Sequence, residues 1–227
     1  TRVIRNQSPV RYYGPQCGHE VKHFEDEFAR FLASAPGGPW PDATPLHVTA
    51  VNSGTGALEV ALDALGVGCG DEVITQGFMW IATISAIVRN RAIPVLVDSD
   101  DTMNMDPEAL RAKISPRTKV IIPVPMLGGC ARIGAIMAVV REVNAERLAQ
   151  GLPPVRVLED CAQALGAHAH GAPGSITPLA AAPPAASKTN WSMVEPRALL
   201  SNRKVALAGL PAGFTRPGRT PSRPVRC

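Results

Sequence analysis

The chain has 227 residues, 45% of them hydrophobic and 19% charged, with a formal net charge of +4. That length suits one large α/β domain with appendages and leaves no room for two full domains. Residues 196–227 hold seven basic and no acidic side chains, which leaves residues 1–195 at a net −3. The basicity is a tail property without aromatic interleaving or a recognition helix, so no specific nucleic-acid partner is expected.

No run of about 18 apolar residues and no basic-apolar leader is present, so no membrane span is expected and the cytosol is the expected location. Cys17, Cys69, Cys130, Cys161 and Cys227 are odd in number and scattered, a pattern that supports neither a disulfide framework nor a zinc knuckle.

In chain order, residues 18–34 (GHEVKHFEDEFARFLAS) place Val21, Phe24, Phe28, Phe31 and Leu32 at helical spacing, and APGGPWPDATP then breaks the helix. LHVTAVNSG predicts a strand and turn, followed by a helix over Thr55 to Leu65 with Leu58, Ala61, Leu62 and Leu65 on one face. A strand is expected over Asp71 to Thr75, a helix over residues 79–89 and a strand from Ile93 to Val97. Asp106 followed by Pro107 is a helix start, and KVIIPVP is a fully apolar strand. The longest helix is predicted from Gly134 to Gln150, with Ile136, Val139, Val140, Val143 and Leu148 on one side, and PVRVLED is the strand that ends at Glu159 and Asp160.

Strand and helix alternating at this interval predict a mostly parallel sheet, with ligands at the carboxyl ends of its strands. After about residue 172 the periodicity is lost, and a Pro/Gly/Arg-rich tail closes the chain. The expected organisation is an N-terminal arm and helix over 1–44, an α/β core over 45–172, a degenerate segment over 173–202 and a disordered basic tail over 203–227.

Residues 52–56 join an apolar strand to a helix through Ser53, Gly54, Thr55 and Gly56. Two glycines, two hydroxyls and a helix N-terminus suit a phosphate cradle, though an ordinary strand-to-helix turn has the same composition. It is neither a Walker A loop nor a dinucleotide fingerprint. Asp160, flanked by Val157, Leu158, Ala162 and Leu165, needs a positive or hydrogen-donating partner if buried; a protonated heteroaromatic nitrogen is one such group and a helix N-cap role is the alternative. His168 and His170 have a metal-like spacing without a further ligand, so no metal is expected.

The segments GHEVKHFEDEFARFL, NSGTGALEVALDALGVGCGDEVI, ISPRTKVIIPV and VLEDCAQALGAHAHG, in this order and spacing over residues 14–172, resemble the DegT-like pyridoxal-phosphate-dependent sugar aminotransferases. The resemblance implies a fold type I aminotransferase-like large domain whose C-terminal part is incomplete, and a homodimer with pyridoxal 5′-phosphate as cofactor. It implies transfer of an amino group from glutamate or glutamine to a nucleotide-linked keto sugar. Gly54 and Thr55 would hold the cofactor phosphate, with Ser53 lining the turn and Ala57 lending its N–H. Trp80 would stack on the pyridine, Asp160 would pair with its nitrogen and Gln163 would bond its 3′-oxygen. Lys188, 28 residues past Asp160 in AASKTNWS, is the expected cofactor-bearing lysine and proton shuttle, against the bland reading of a surface lysine.

The chain departs from the family where Pro183 and Pro184 replace an expected strand, where VEPR replaces a glycine turn, and where Pro125 replaces a histidine. A reading-frame shift near residue 175 would produce such a change. The alternative function is then a catalytically inactive, truncated relative acting as a scaffold or weak phosphate binder.

Overall fold

A computed structural model describes residues 19–33, 46–168 and the backbone of strands at 178–181, 191–194 and 204–209. Helix α1 (His19–Ala33) precedes β1 (Leu46–Val51), α2 (Gly54–Ala64), β2 (Glu72–Gln76), α3 (Ile81–Arg89), β3 (Ile93–Val97), α4 (Pro107–Lys113), β4 (Thr118–Ile122), α5 (Ile133–Ala149) and β5 (Arg156–Glu159). Strands β6 (Gly166–His168), β7 (Pro178–Ala181), β8 (Trp191–Val194) and β9 (Lys204–Gly209) follow.

The ends of the helices follow local chemistry. Ser53, extended at φ −160°, caps α2 by accepting the N–H of Gly56. At the other end Gly66, at φ 71°, donates to Asp63 while Val67 donates to Leu62, the paired bonds of a Schellman stop that a residue with a Cβ would strain. Asp106 accepts from Glu108 N–H at 3.0 Å with Pro107 at the first helical position, as expected for α4. Trp80 caps α3 through its backbone alone, so that helix begins at Ile81, two residues later than its periodicity suggests.

Seven strands form one sheet in the order β1-β9-β8-β5-β4-β2-β3, with β8 alone antiparallel to its neighbours. Strands β6 and β7 pair separately, antiparallel. The mostly parallel α/β sheet agrees with the expected fold class. Successive side chains along a strand point to opposite faces, and two apolar cores result. Val73, Val120, Ile122 and Leu158 meet Leu58, Leu62 and Ile87 of α2 and α3 on one face. Ile74, Ile121 and Val157 meet Leu110, Ile136 and Val140 of α4 and α5 on the other.

Strands β7, β8 and β9 fall in stretches read from sequence as patternless and as a tail. WSMV and KVALAG are short runs free of proline, and each supplies backbone donors and acceptors to the part of the sheet between β5 and β1. Two helix faces also differ from expectation. Phe31 and Leu148, assigned to buried faces, are 48% and 79% exposed, while Glu25 and Arg147 are buried. Arg147 reaches the carbonyls of Ser115, Pro153, Pro116 and Thr118 at 2.8, 2.8, 3.2 and 3.2 Å, so its flat guanidinium finds acceptors at the amino end of β4 that a leucine could not use.

Candidate functional site

The parallel strands bring their carboxyl ends to one edge of the sheet, where Thr83 meets Asp160 and Gln163 meets Leu127. The turn after β1 is a tight unit. Ser53 spends its hydroxyl on Gly56 N–H at 3.0 Å and its carbonyl on Ala57 N–H at 2.9 Å. A Cβ on Gly56 would stand 3.0 Å from Asn52 Oδ1 and 3.1 Å from Ser53 Oγ, so the turn has closed around a bare glycine. As the first two residues of α2, Gly54 and Thr55 have N–H groups with no acceptor inside the helix, and they stand at its positive dipole end. The expected donor from Ala57 needs correction: its N–H already makes the first helical bond and the residue is wholly buried, so Gly54 and Thr55 are the donors that the turn offers.

Asp160 follows β5, and its N–H donates to Pro123 at the end of β4 at 3.0 Å. The carboxylate is 5% exposed. Oδ2 accepts from the Thr83 hydroxyl at 3.0 Å and Oδ1 from Ala162 N–H at 3.2 Å. Burial pushes its pKa up to about 6, against the lowering effect of those two bonds. The alternative role of Asp160 as a helix N-cap finds no helix there: residues 162–165 form a turn, and the bond to Ala162 is the i to i+2 contact of an Asx turn. Thr83 was not recognised from the sequence. It stands three residues after Trp80 at the start of α3, a spacing that puts both on one side of the first turn, and its own N–H donates to the Trp80 carbonyl at 3.2 Å.

Trp80 is 67% exposed, with its ring free of core packing. Gln163 is half-buried, and its Oε1 accepts the N–H of Leu127 at 3.2 Å, which leaves the two Nε2 hydrogens to donate elsewhere. Leu127 is held at φ 55° in an exposed turn after β4. That turn is anchored by Gln76, whose buried amide donates to Val124 O at 2.8 Å and accepts from Val124 N–H at 3.0 Å. Next to Asp160, burial drives the Cys161 thiol well above its ordinary range, with the neighbouring carboxylates adding to the effect, so it is an inert core group. Lys188, Pro183 and Pro184 lie outside the described residues, as do His170 and the side chain of His168. No described helix is long and apolar enough to cross a membrane.

Residues 13–182 match the model of the DegT/DnrJ/EryC1/StrS aminotransferase family. The chain is 41% identical over 171 residues to UDP-2-acetamido-2-deoxy-3-oxo-D-glucuronate aminotransferase of Pseudomonas aeruginosa, covering 75% of this chain and 40% of that protein. Among solved structures it resembles 3-amino-5-hydroxybenzoic acid synthase, with a TM-score of 0.57 at 38% identity over 72% of this chain and 36% of the other. It also resembles a Bacillus subtilis protein with bound cofactor PMP, with a TM-score of 0.55 at 28% identity over 71% and 31% of the two chains. The chain spans less than half the length of the curated relatives it matches.

Proposed function

Because this chain belongs to the DegT/DnrJ/EryC1/StrS aminotransferase family, we infer that its strand-end site holds pyridoxal 5′-phosphate and transfers an amino group from glutamate or glutamine to a nucleotide-linked keto sugar. The observation that carries this reading is Asp160. A carboxylate so deeply buried, with two neutral donors among the described residues, is poorly held as an anion near neutral pH. A protonated ring nitrogen beside it would supply the missing positive partner.

The other residues fit the same group. The N–H groups of Gly54 and Thr55 suit an anion at the start of α2. The open face of Trp80 suits a flat ring, and the Nε2 hydrogens of Gln163 suit a phenolic oxygen. When bound, the cofactor supplies the electron sink for breaking a bond at the amino carbon of the donor. The chain's own share is to hold the ring nitrogen protonated at Asp160, to fix the phosphate at Gly54 and Thr55, and to keep the ring flat against Trp80. Lys188 is proposed to hold the cofactor and to move the proton.

A second copy of this chain is the proposed partner, supported by the exposed side chains of Phe78, Trp80 and Ile81 around the site. A cytosolic location belongs to the same proposal, and the free thiols of Cys69, Cys130 and Cys161 suit a reducing compartment. The nucleotide-linked sugar is supported by the name of the Pseudomonas aeruginosa relative, which acts on a UDP-linked keto sugar acid. The decisive experiment is borohydride fixation of added pyridoxal phosphate followed by peptide mapping. Label on Lys188 is expected; label on another lysine, or none, would refute the assignment.

A further inference from the structure

Strand β1 lies at the edge of the seven-stranded sheet, with β9 as its one strand neighbour among the described residues. Against β1 lies α1, and from it Glu25 extends so that its Oε1 accepts the N–H of Ala50 at 3.0 Å. Ala50 is the penultimate residue of β1 and stands three residues before the Ser53 cap. Glu25 is only 4% exposed. Its helix leaves Phe31 half in water, so the buried carboxylate is not there for want of an apolar side chain. Removing a carboxylate from water is costly, and the bond to Ala50 is what the strand receives in return.

The position of that bond gives it a consequence for the turn. The chain leaves β1 at Val51 and must enter Ser53 in an extended conformation so that its hydroxyl and carbonyl reach Gly56 and Ala57. A strand tip held only on its β9 side is free to shift, and a small shift there is passed directly to Gly54 and Thr55. We propose that Glu25 is a positioning residue for the anion cradle, fixing the tip of β1 so that the Gly54 and Thr55 N–H groups are aimed at the phosphate of the ligand. This inference rests on the reading of that turn as a phosphate site.

The test compares two probes, pyridoxal 5′-phosphate and pyridoxal, which share a ring and differ in the phosphate. Dissociation constants are measured for the full chain and for Glu25→Leu, Glu25→Asp and Glu25→Gln, with circular dichroism as the control for folding. The unaltered chain is expected to favour the phosphorylated probe. Glu25→Asp keeps the charge but is one methylene too short, and it should narrow that preference about tenfold while pyridoxal affinity stays put. Glu25→Leu should do the same, and Glu25→Gln, which keeps the acceptor, should retain the preference. A folded Glu25→Asp chain with an unchanged preference overturns the role of Glu25, as does a Glu25→Gln chain that behaves like Glu25→Leu. If the unaltered chain itself binds both probes equally, the cradle reading fails, and that result is distinct from the other two. Should Glu25→Leu not fold, the Asp and Gln variants decide the matter.

Discussion

Thr83 and Asp160, 77 positions apart in the chain, share a buried hydrogen bond of 3.0 Å that ties the first turn of α3 to the end of β5. The hydroxyl is one of two donors, among the described residues, to a carboxylate that has almost no solvent. Thr83→Val removes that donor at nearly constant volume, so the Asp160 protonation midpoint should rise further. Affinity for pyridoxal phosphate should fall about tenfold or more, in keeping with a bond to a charged group. Absorbance titration of the cofactor measures this, and Thr83→Ser should restore most of the loss.

Asp160 should destabilise the ligand-free protein at neutral pH. Its folded pKa, near 6, lies above the ordinary 3.8, so the folded state binds the proton more tightly than the unfolded state. The contribution to stability is therefore greatest below pH 3.8 and is lost as pH rises through about 6. The difference amounts to about 3 kcal/mol. Asp160→Asn should thus unfold at higher urea than the parent at pH 7.5, by on the order of 1–3 kcal/mol, with the advantage gone below pH 4. Its response to pyridoxal phosphate should be lost at the same time.

Ser53→Ala tests the cap of the cradle. Loss of the acceptor for Gly56 N–H should cost about 1 kcal/mol in urea unfolding, whereas Ser53→Gly should cost only a few tenths. Both variants should weaken binding of pyridoxal phosphate more than binding of pyridoxal.

Arg147 lies far from the site in role and should matter to stability alone. Arg147→Met keeps the stem but strands four carbonyls around the amino end of β4, and several kcal/mol of stability should disappear. Arg147→Lys should recover only part, since an ammonium cannot span the four acceptors. A folded Arg147→Lys chain should bind pyridoxal phosphate as the parent does.

Much of this arrangement was legible in the sequence, because strand ends, glycine turns and helix starts are local signals. Ser53, Gly54, Thr55 and Asp160 stand out as candidates that way, and the succession of β1 to β5 along the chain follows from hydrophobic periodicity. Thr83, Glu25 and Arg147 were not found, since each is a polar side chain whose burial is decided by a distant partner: Asp160, the Ala50 N–H and four carbonyls. Periodicity says which residues share a helix face. It does not say where that face ends, and so Phe31 at the margin of α1 and Leu148 at the close of α5 were read as core. The strands after residue 172 escaped for another reason: WSMV and KVALAG are too short to show a period, and the gap in the sheet gives them their role.

The pairing of β1 with β9, from Leu46 beside Lys204 to Val51 beside Gly209, also dictates an order of assembly. Strands β2 to β5 are contiguous in the chain and can pair as soon as residue 159 has left the ribosome, which brings Asp160 and Thr83 together early. Of the described strands, the one that feeds the Ser53 turn comes first in the chain and finds its sheet neighbour last, across the longest loop closure among the described strand pairs. While synthesis proceeds, the nascent chain therefore has the Thr83–Asp160 bond in reach and the strand before the Ser53 turn still waiting for β9. The β1 edge of the sheet is complete only after translation has passed residue 209.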